Sequence, residues 1–129
     1  MGKVKKARDL QAEKPVAQLW LPGEPPFAIF TANTFFKRFL GLMGRHEADY
    51  GLFLDPCDSI HMFFMRFPID AVFIDKGETI VSIHRNLKPG QFALGGKGSR
   101  AVLELPASRG FGTKLSVGTR LPMKLLGEV

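Results

Sequence analysis

The sequence predicts a mainly β fold, an antiparallel β sandwich or distorted barrel with one short helix at about residues 34–43. Three observations carry that prediction. Short runs rich in β-branched and aromatic residues recur along the chain, each closed off by Pro, Gly or Asp. Helical spacing of apolar residues occurs once. The 129 residues are 45% hydrophobic and include 12 Phe, enough to build a buried core, while 14 Gly and 9 Pro supply many turns.

Residues 1–15 lack apolar periodicity and read as a basic, disordered tail ahead of a single β-rich domain over 16–129. Runs 16–21 and 27–31 are predicted strands, parted by Pro22, Gly23, Glu24, Pro25 and Pro26. Asn33 or Thr34 then caps a helix whose apolar positions are Phe35, Phe36, Phe39, Leu40, Leu42 and Met43. Gly41 and Gly44 end it. Beyond it, 51–54 is a short strand, and 59–67 is apolar on both alternating faces, the pattern of a central strand. Runs 69–74 and 79–83 flank Asp75-Lys76-Gly77-Glu78 as a hairpin, with Gly77 available for positive φ. After a glycine-rich loop over 89–99, runs 101–105 and 121–125 supply the last strands. Phe39, Leu42, Met62, Phe64, Val72, Ile74, Val81 and Leu103 are expected to share one core.

The formal charge is +6, and half of the excess lies in residues 1–14, which hold Lys3, Lys5, Lys6, Arg8 and Lys14 against Asp9 and Glu13. Elsewhere basic and acidic residues are interspersed, as on an ordinary solvated surface. Nucleic acid is therefore expected to make only non-specific contacts with the tail. The single cysteine, Cys57, cannot close an intramolecular disulfide, which fits a reducing compartment. Residues 9–18 mix Asp, Gln, Glu, Lys and Pro where a signal peptide needs an apolar core, and no run approaches the length of a membrane span. A cytoplasmic protein without membrane contact is expected.

The order of segments is similar to a known family. Thr31-Ala32-Asn33-Thr34 with Arg38, then Gly41-Leu42-Met43-Gly44-Arg45, Met65 with Pro68-Ile69-Asp70, Phe73-Ile74-Asp75 and Leu103-Glu104-Leu105 resemble the bacterial and archaeal family catalogued as domain of unknown function 192. The resemblance spans roughly residues 16–126. It implies a β-rich domain with one short helix and no established activity. The chain departs from that pattern at Ala107-Ser108-Arg109-Gly110, where a plainer Ala-Gly turn is usual, and at Gly118-Thr119, where Gly-Asp is usual. Many similar proteins carry an export signal, which this sequence does not show.

Several residues invite a chemical reading. His61 and Met65 would share a strand face, but soft-metal sites want three or four ligands and their neighbours Phe63 and Phe67 are not ligands, so no metal or cofactor is expected. Cys57 and His61 would lie roughly 13 Å apart on an extended strand, too far for a nucleophile and its base without a bend. Asp70 and Asp75, five residues apart, fall on opposite faces; Asp75 suits a turn that it closes by accepting backbone N–H bonds. Gly95-Gly96-Lys97-Gly98-Ser99-Arg100 could wrap an anion but lacks the spacing and following helix of a phosphate loop. Trp20, Tyr50 and Phe111 are the aromatics expected at the surface.

The polar residues set among apolar neighbours are Arg38, His61, Arg66, Asp70 and Glu104, and these form the candidate ligand-binding set. If they converge at one end of the sheet, a small polar or anionic ligand is the expected partner, with Arg38 as the charged fork and His61 as a switchable donor. An Arg38–Asp70 tie is the structural alternative. The sequence thus favours a non-catalytic binding or interaction domain. Two other readings stay open: a hydrolase using Cys57, His61 and Asp70, and a weak nucleic-acid binder acting through its tail.

Overall fold

The computed structural model describes residues 15–31, 49–62 and 67–126. The predicted helix at 34–43, with Arg38, Phe39 and Leu42, lies outside them, as do Phe64, Met65, Arg66 and the tail over 1–14. Among the described residues the strands are β1 (Ala17–Leu19), β2 (Phe27–Thr31), β3 (Gly51–Leu54), β4 (Ser59–His61), β5 (Ile69–Ile74), β6 (Ile80–Leu87), β7 (Phe92–Leu94), β8 (Ala101–Pro106) and β9 (Met123–Leu125). Short 3-10 turns follow β8 at Ala107–Arg109 and Phe111–Lys114, where the sequence reading had placed no helix.

Seven strands form one sheet in the order β6-β5-β8-β3-β2-β1-β9, and β4 pairs with β7 in a second, two-stranded sheet. The large sheet curls. Ile80 bonds to two consecutive residues, accepting from Gly118 N (2.8 Å) and donating to Thr119 O (2.8 Å), and Leu121 N donates to Glu78 O (2.9 Å). These bonds tie the start of edge strand β6 to the segment entering the other edge, β9, so the sheet closes towards a half-barrel at that end. A mainly β fold is what the sequence predicted.

Four details differ from that prediction. The β2–β3 pair is parallel, with Phe30 opposite Leu52, whereas the other neighbours in the sheet are antiparallel. A parallel pair needs a long crossover, and the connection over 32–50 provides the length. The strand expected over 59–67 contributes only β4 to the described residues, and it is not central: Ser59 and His61 are exposed and only Ile60 is buried. The centre belongs to β8 and β5, whose six residues are all buried. Strand β7 arises within the predicted loop, pairing Phe92 with His61 and Leu94 with Ser59. In the β5–β6 turn, Asp75 Oδ1 accepts from Gly77 N and Thr79 N at 2.9 Å each, as its position suggested. Positive φ there falls on Glu78 (67°), not on Gly77.

Sheet alternation divides the apolar residues into two clusters rather than one. Phe30, Tyr50, Leu52, Leu54, Ala71, Phe73 and Val102 belong to the cluster on one face, joined by Ile60, Met62 and Ala93 around the small sheet. Ile29, Val72, Ile74, Ile80, Leu103, Leu105 and Phe111 pack on the opposite face, inside the curl. Val72, Ile74 and Leu103 therefore sit across the sheet from Met62 and Val81, which the sequence reading had grouped with them.

Candidate functional site

Paired positions across the sheet set Phe30 (β2), Leu52 (β3), Glu104 (β8), Ala71 (β5) and His84 (β6) in one row on one face. Glu104 thus stands on the central strand between Leu52 and Ala71, with the carboxyl on a face otherwise built from the apolar side chains of its cluster. The residue is half-buried by surface area, yet desolvation pushes its carboxyl from the ordinary 4.5 up to about 7. Among the described residues no donor or cation meets that carboxyl. Near neutrality it is poised between a protonated form, able to donate one hydrogen bond and accept another, and a carboxylate that only accepts.

His84 lies on the same face two strands away, roughly 10 Å along the row by strand spacing. Ala71 between them has no side chain beyond Cβ, so the floor of the row is low there. The His84 ring packs edge-on against Phe73, with centroids 5.7 Å apart, and its Nε2 lies 2.9 Å from Leu94 O. That bond holds the imidazole towards β7. His84 was absent from the candidate set because nothing in 80–87 signals which face its members adopt; register shifts between β5 and β6 interrupt simple alternation.

The expected convergence does not hold among the described candidates. Asp70 is paired with Leu105, one position out of step with Glu104, and so occupies the opposite face. Its buried carboxylate accepts from Asn86 N (2.8 Å) and Gly112 N (3.1 Å), a main-chain clip. A Cβ at residue 112 would stand 2.5 Å from Asp70 Oδ2, so glycine is what lets the 3-10 turn approach. Arg85 completes the clip by donating through Nε to Gly112 O at 2.8 Å. His61 is exposed on the outer side of β4, beside Phe92 of β7. Arg38 and Arg66 lie outside the described residues.

Cys57, in the β3–β4 connection, is half-buried against the Glu104-face cluster, and its thiol donates to Ser59 O at 3.1 Å. It sits apart from Asp70, which the sheet separates from it. Ser99, in the glycine-rich loop, has a buried hydroxyl without a partner among the described residues. No group of three or more His, Cys, Asp or Glu residues among the described ones is arranged to hold a metal ion. Of the aromatics expected at the surface, Tyr50 and Phe111 are each 2% exposed while Trp20 is 46% exposed. No helix among the described residues is long and apolar enough to cross a membrane.

A UPF0127 protein of Thermococcus sibiricus is 40% identical over 81 residues, covering 58% of this chain and 52% of its own, so the match spans about half of that relative. A UPF0127 protein of Pyrococcus furiosus is 33% identical over 95 residues, 70% of this chain and 81% of its own. Among solved structures, a protein of unknown function from Novosphingobium aromaticivorans superposes with a TM-score of 0.66 at 21% identity, over 88% of this chain and 84% of that one. A Sinorhizobium meliloti protein, provisionally described as a transcription regulator, gives 0.66 at 23% identity over 88% of this chain and 97% of its own. At such identities the two structures establish the shared fold and nothing more. The profile of the DUF192 family, described as an uncharacterised ACR, matches residues 20–123, which include the parallel β2–β3 pair, the Asp70 clip and Glu104, and the chain belongs to that family.

Proposed function

We propose that this chain is a binding domain for a small, neutral polar ligand read by Glu104. The observation that carries the proposal is the desolvated Glu104 carboxyl, without a hydrogen-bond partner among the described residues and raised to about 7 on a central strand. The carboxyl oxygens keep some solvent contact, so a ligand that displaces the water there must offer hydrogen bonds in its place. A ligand hydroxyl or carboxamide can use both the donor and the acceptor of the protonated acid, whereas an anion would be repelled once the acid ionises. Of the polar and anionic ligands expected from the sequence, the polar class is therefore favoured.

Acid–base catalysis would also use a carboxyl that titrates near neutrality. Among the described candidates it gains no second reacting group, because Asp70 is held by backbone amides on the other face, His61 is exposed on β4, and His84 stands two strands away on the same face. The test is thermal unfolding in the presence of sugars, carboxamides and amino alcohols, for wild type and Glu104→Ala. At least one class should raise the wild-type midpoint by mass action and leave the variant's unchanged. No shift with any class, or an equal shift in the variant, would overturn the reading.

A further inference from the structure

A second candidate site lies at the far edge of the sheet, independent of Glu104. Trp20, Arg120, Leu121, Pro122, Met123 and Lys124 line an open cleft of about 430 Å³ where β1 ends and β9 begins. Its volume is within the range of small-molecule sites. Trp20 follows β1, and its backbone N donates to Pro122 O at 2.8 Å, while Leu19 pairs with Met123. Leu19 and Leu121 turn inward to the core. The intervening Trp20 is left on the outer side with its indole 46% exposed.

Among the described residues, two cations and no carboxylate line the cleft. Lys124 Nζ rests 5.3 Å from the centroid of the Trp20 ring. Arg120 makes a loose 3.5 Å pair with Glu78, its own side chain 75% exposed, and is free to turn to a stronger anion. The wall behind them is fixed by main-chain bonds from Leu121 to Glu78 and from Ile80 to Thr119. A rigid wall, an open indole face and two cations on short tethers suit a ligand with a flat ring and an attached negative charge.

We propose that this cleft binds a planar aromatic group carrying an anionic substituent, the chemistry of a nucleotide. The ring stacks on Trp20, displacing Lys124 from it, since an exposed cation–π contact is weaker than the stacking of a base on an aromatic side chain. The released ammonium and the Arg120 guanidinium then meet the anionic group. A single aromatic platform accommodates one nucleotide, either free or as one unit of a strand.

Trp20 is the only tryptophan of the chain, so its fluorescence reports on this cleft alone. Titration of the full chain with adenosine monophosphate should quench it saturably, and inorganic phosphate alone should not. The Lys124→Ala, Arg120→Ala double variant, which changes only exposed side chains, should bind about tenfold more weakly. Oligothymidylate separates the two sources: binding far tighter than the mononucleotide identifies a strand as the occupant, and comparable binding identifies the free nucleotide. Absence of saturable quenching by either probe overturns the proposal. So does equal quenching by uncharged adenosine, or unchanged affinity in the double variant, because the cations would then play no part. Glu104→Ala should leave this titration unaltered, which separates the two sites.

Discussion

Replacing Glu104 by Gln should stabilise the protein at alkaline pH and leave it nearly unchanged in acid. The folded chain holds the Glu104 proton more tightly than the unfolded chain does, since burial raises the carboxyl from 4.5 to about 7. Its contribution to stability is fully present below 4.5 and is lost as the pH rises through about 7. Each pH unit between those values corresponds to about 1.36 kcal/mol, so the ionised acid costs the fold about 3 kcal/mol relative to the protonated one. The half-buried surface of the residue makes that an upper bound. Gln matches the shape of Glu and does not titrate, so the difference between variant and wild type isolates this one group from every other titration. Urea unfolding followed by circular dichroism, at about pH 4 and about pH 8, measures it directly. The gain from Glu104→Gln should grow by up to about 3 kcal/mol between the two conditions. A difference that stays constant with pH would refute the desolvated carboxyl, and with it the basis for placing a ligand there.

Three further outcomes follow from the packing and the hydrogen bonds. Asp70→Ala leaves the Asn86 and Gly112 amides without their acceptor and should cost about 2–4 kcal/mol in chemical denaturation, about 1–3 kcal/mol for the buried Gly112 amide and about 1 kcal/mol for the part-buried Asn86 amide. Phe73→Ala empties a fully buried site on β5 and should cost about 3–5 kcal/mol by the same measurement. Asp75→Ala removes two bonds within the β5–β6 turn and should cost about 1 kcal/mol, with hydrogen exchange accelerated at Gly77 and Thr79 but not at the centre of β5.

How much of this was legible in the chain depends on the range of the interactions involved. Strands β2, β3, β5 and the hairpin to β6 were readable because alternation and turn residues act over a few neighbours, and Asp75 declares its turn locally. The role of Asp70 was not legible: a lone carboxylate in an apolar run announces that it needs partners, but the partners are amides 16 and 42 residues away along the chain. The strand at β7 was hidden for a similar reason, since its three residues lie among glycines and gain a ladder only by meeting β4.

The sequence by itself determined the β-rich class, the family membership carried by segments around residues 31–45, 65–75 and 103–105, and the list of polar residues that call for an explanation. Tertiary structure decided how Asp70, His61 and Glu104, the described ones among them, are placed relative to one another. Because successive side chains on a strand point to opposite faces, the one-residue offset between Asp70 and the partner of Glu104 sends two similar carboxylates to different sides of the sheet. One is satisfied by backbone amides. The other is left among apolar side chains, and that pairing register, which no local pattern encodes, is the physical reason the functional reading moved from a five-residue cluster to Glu104.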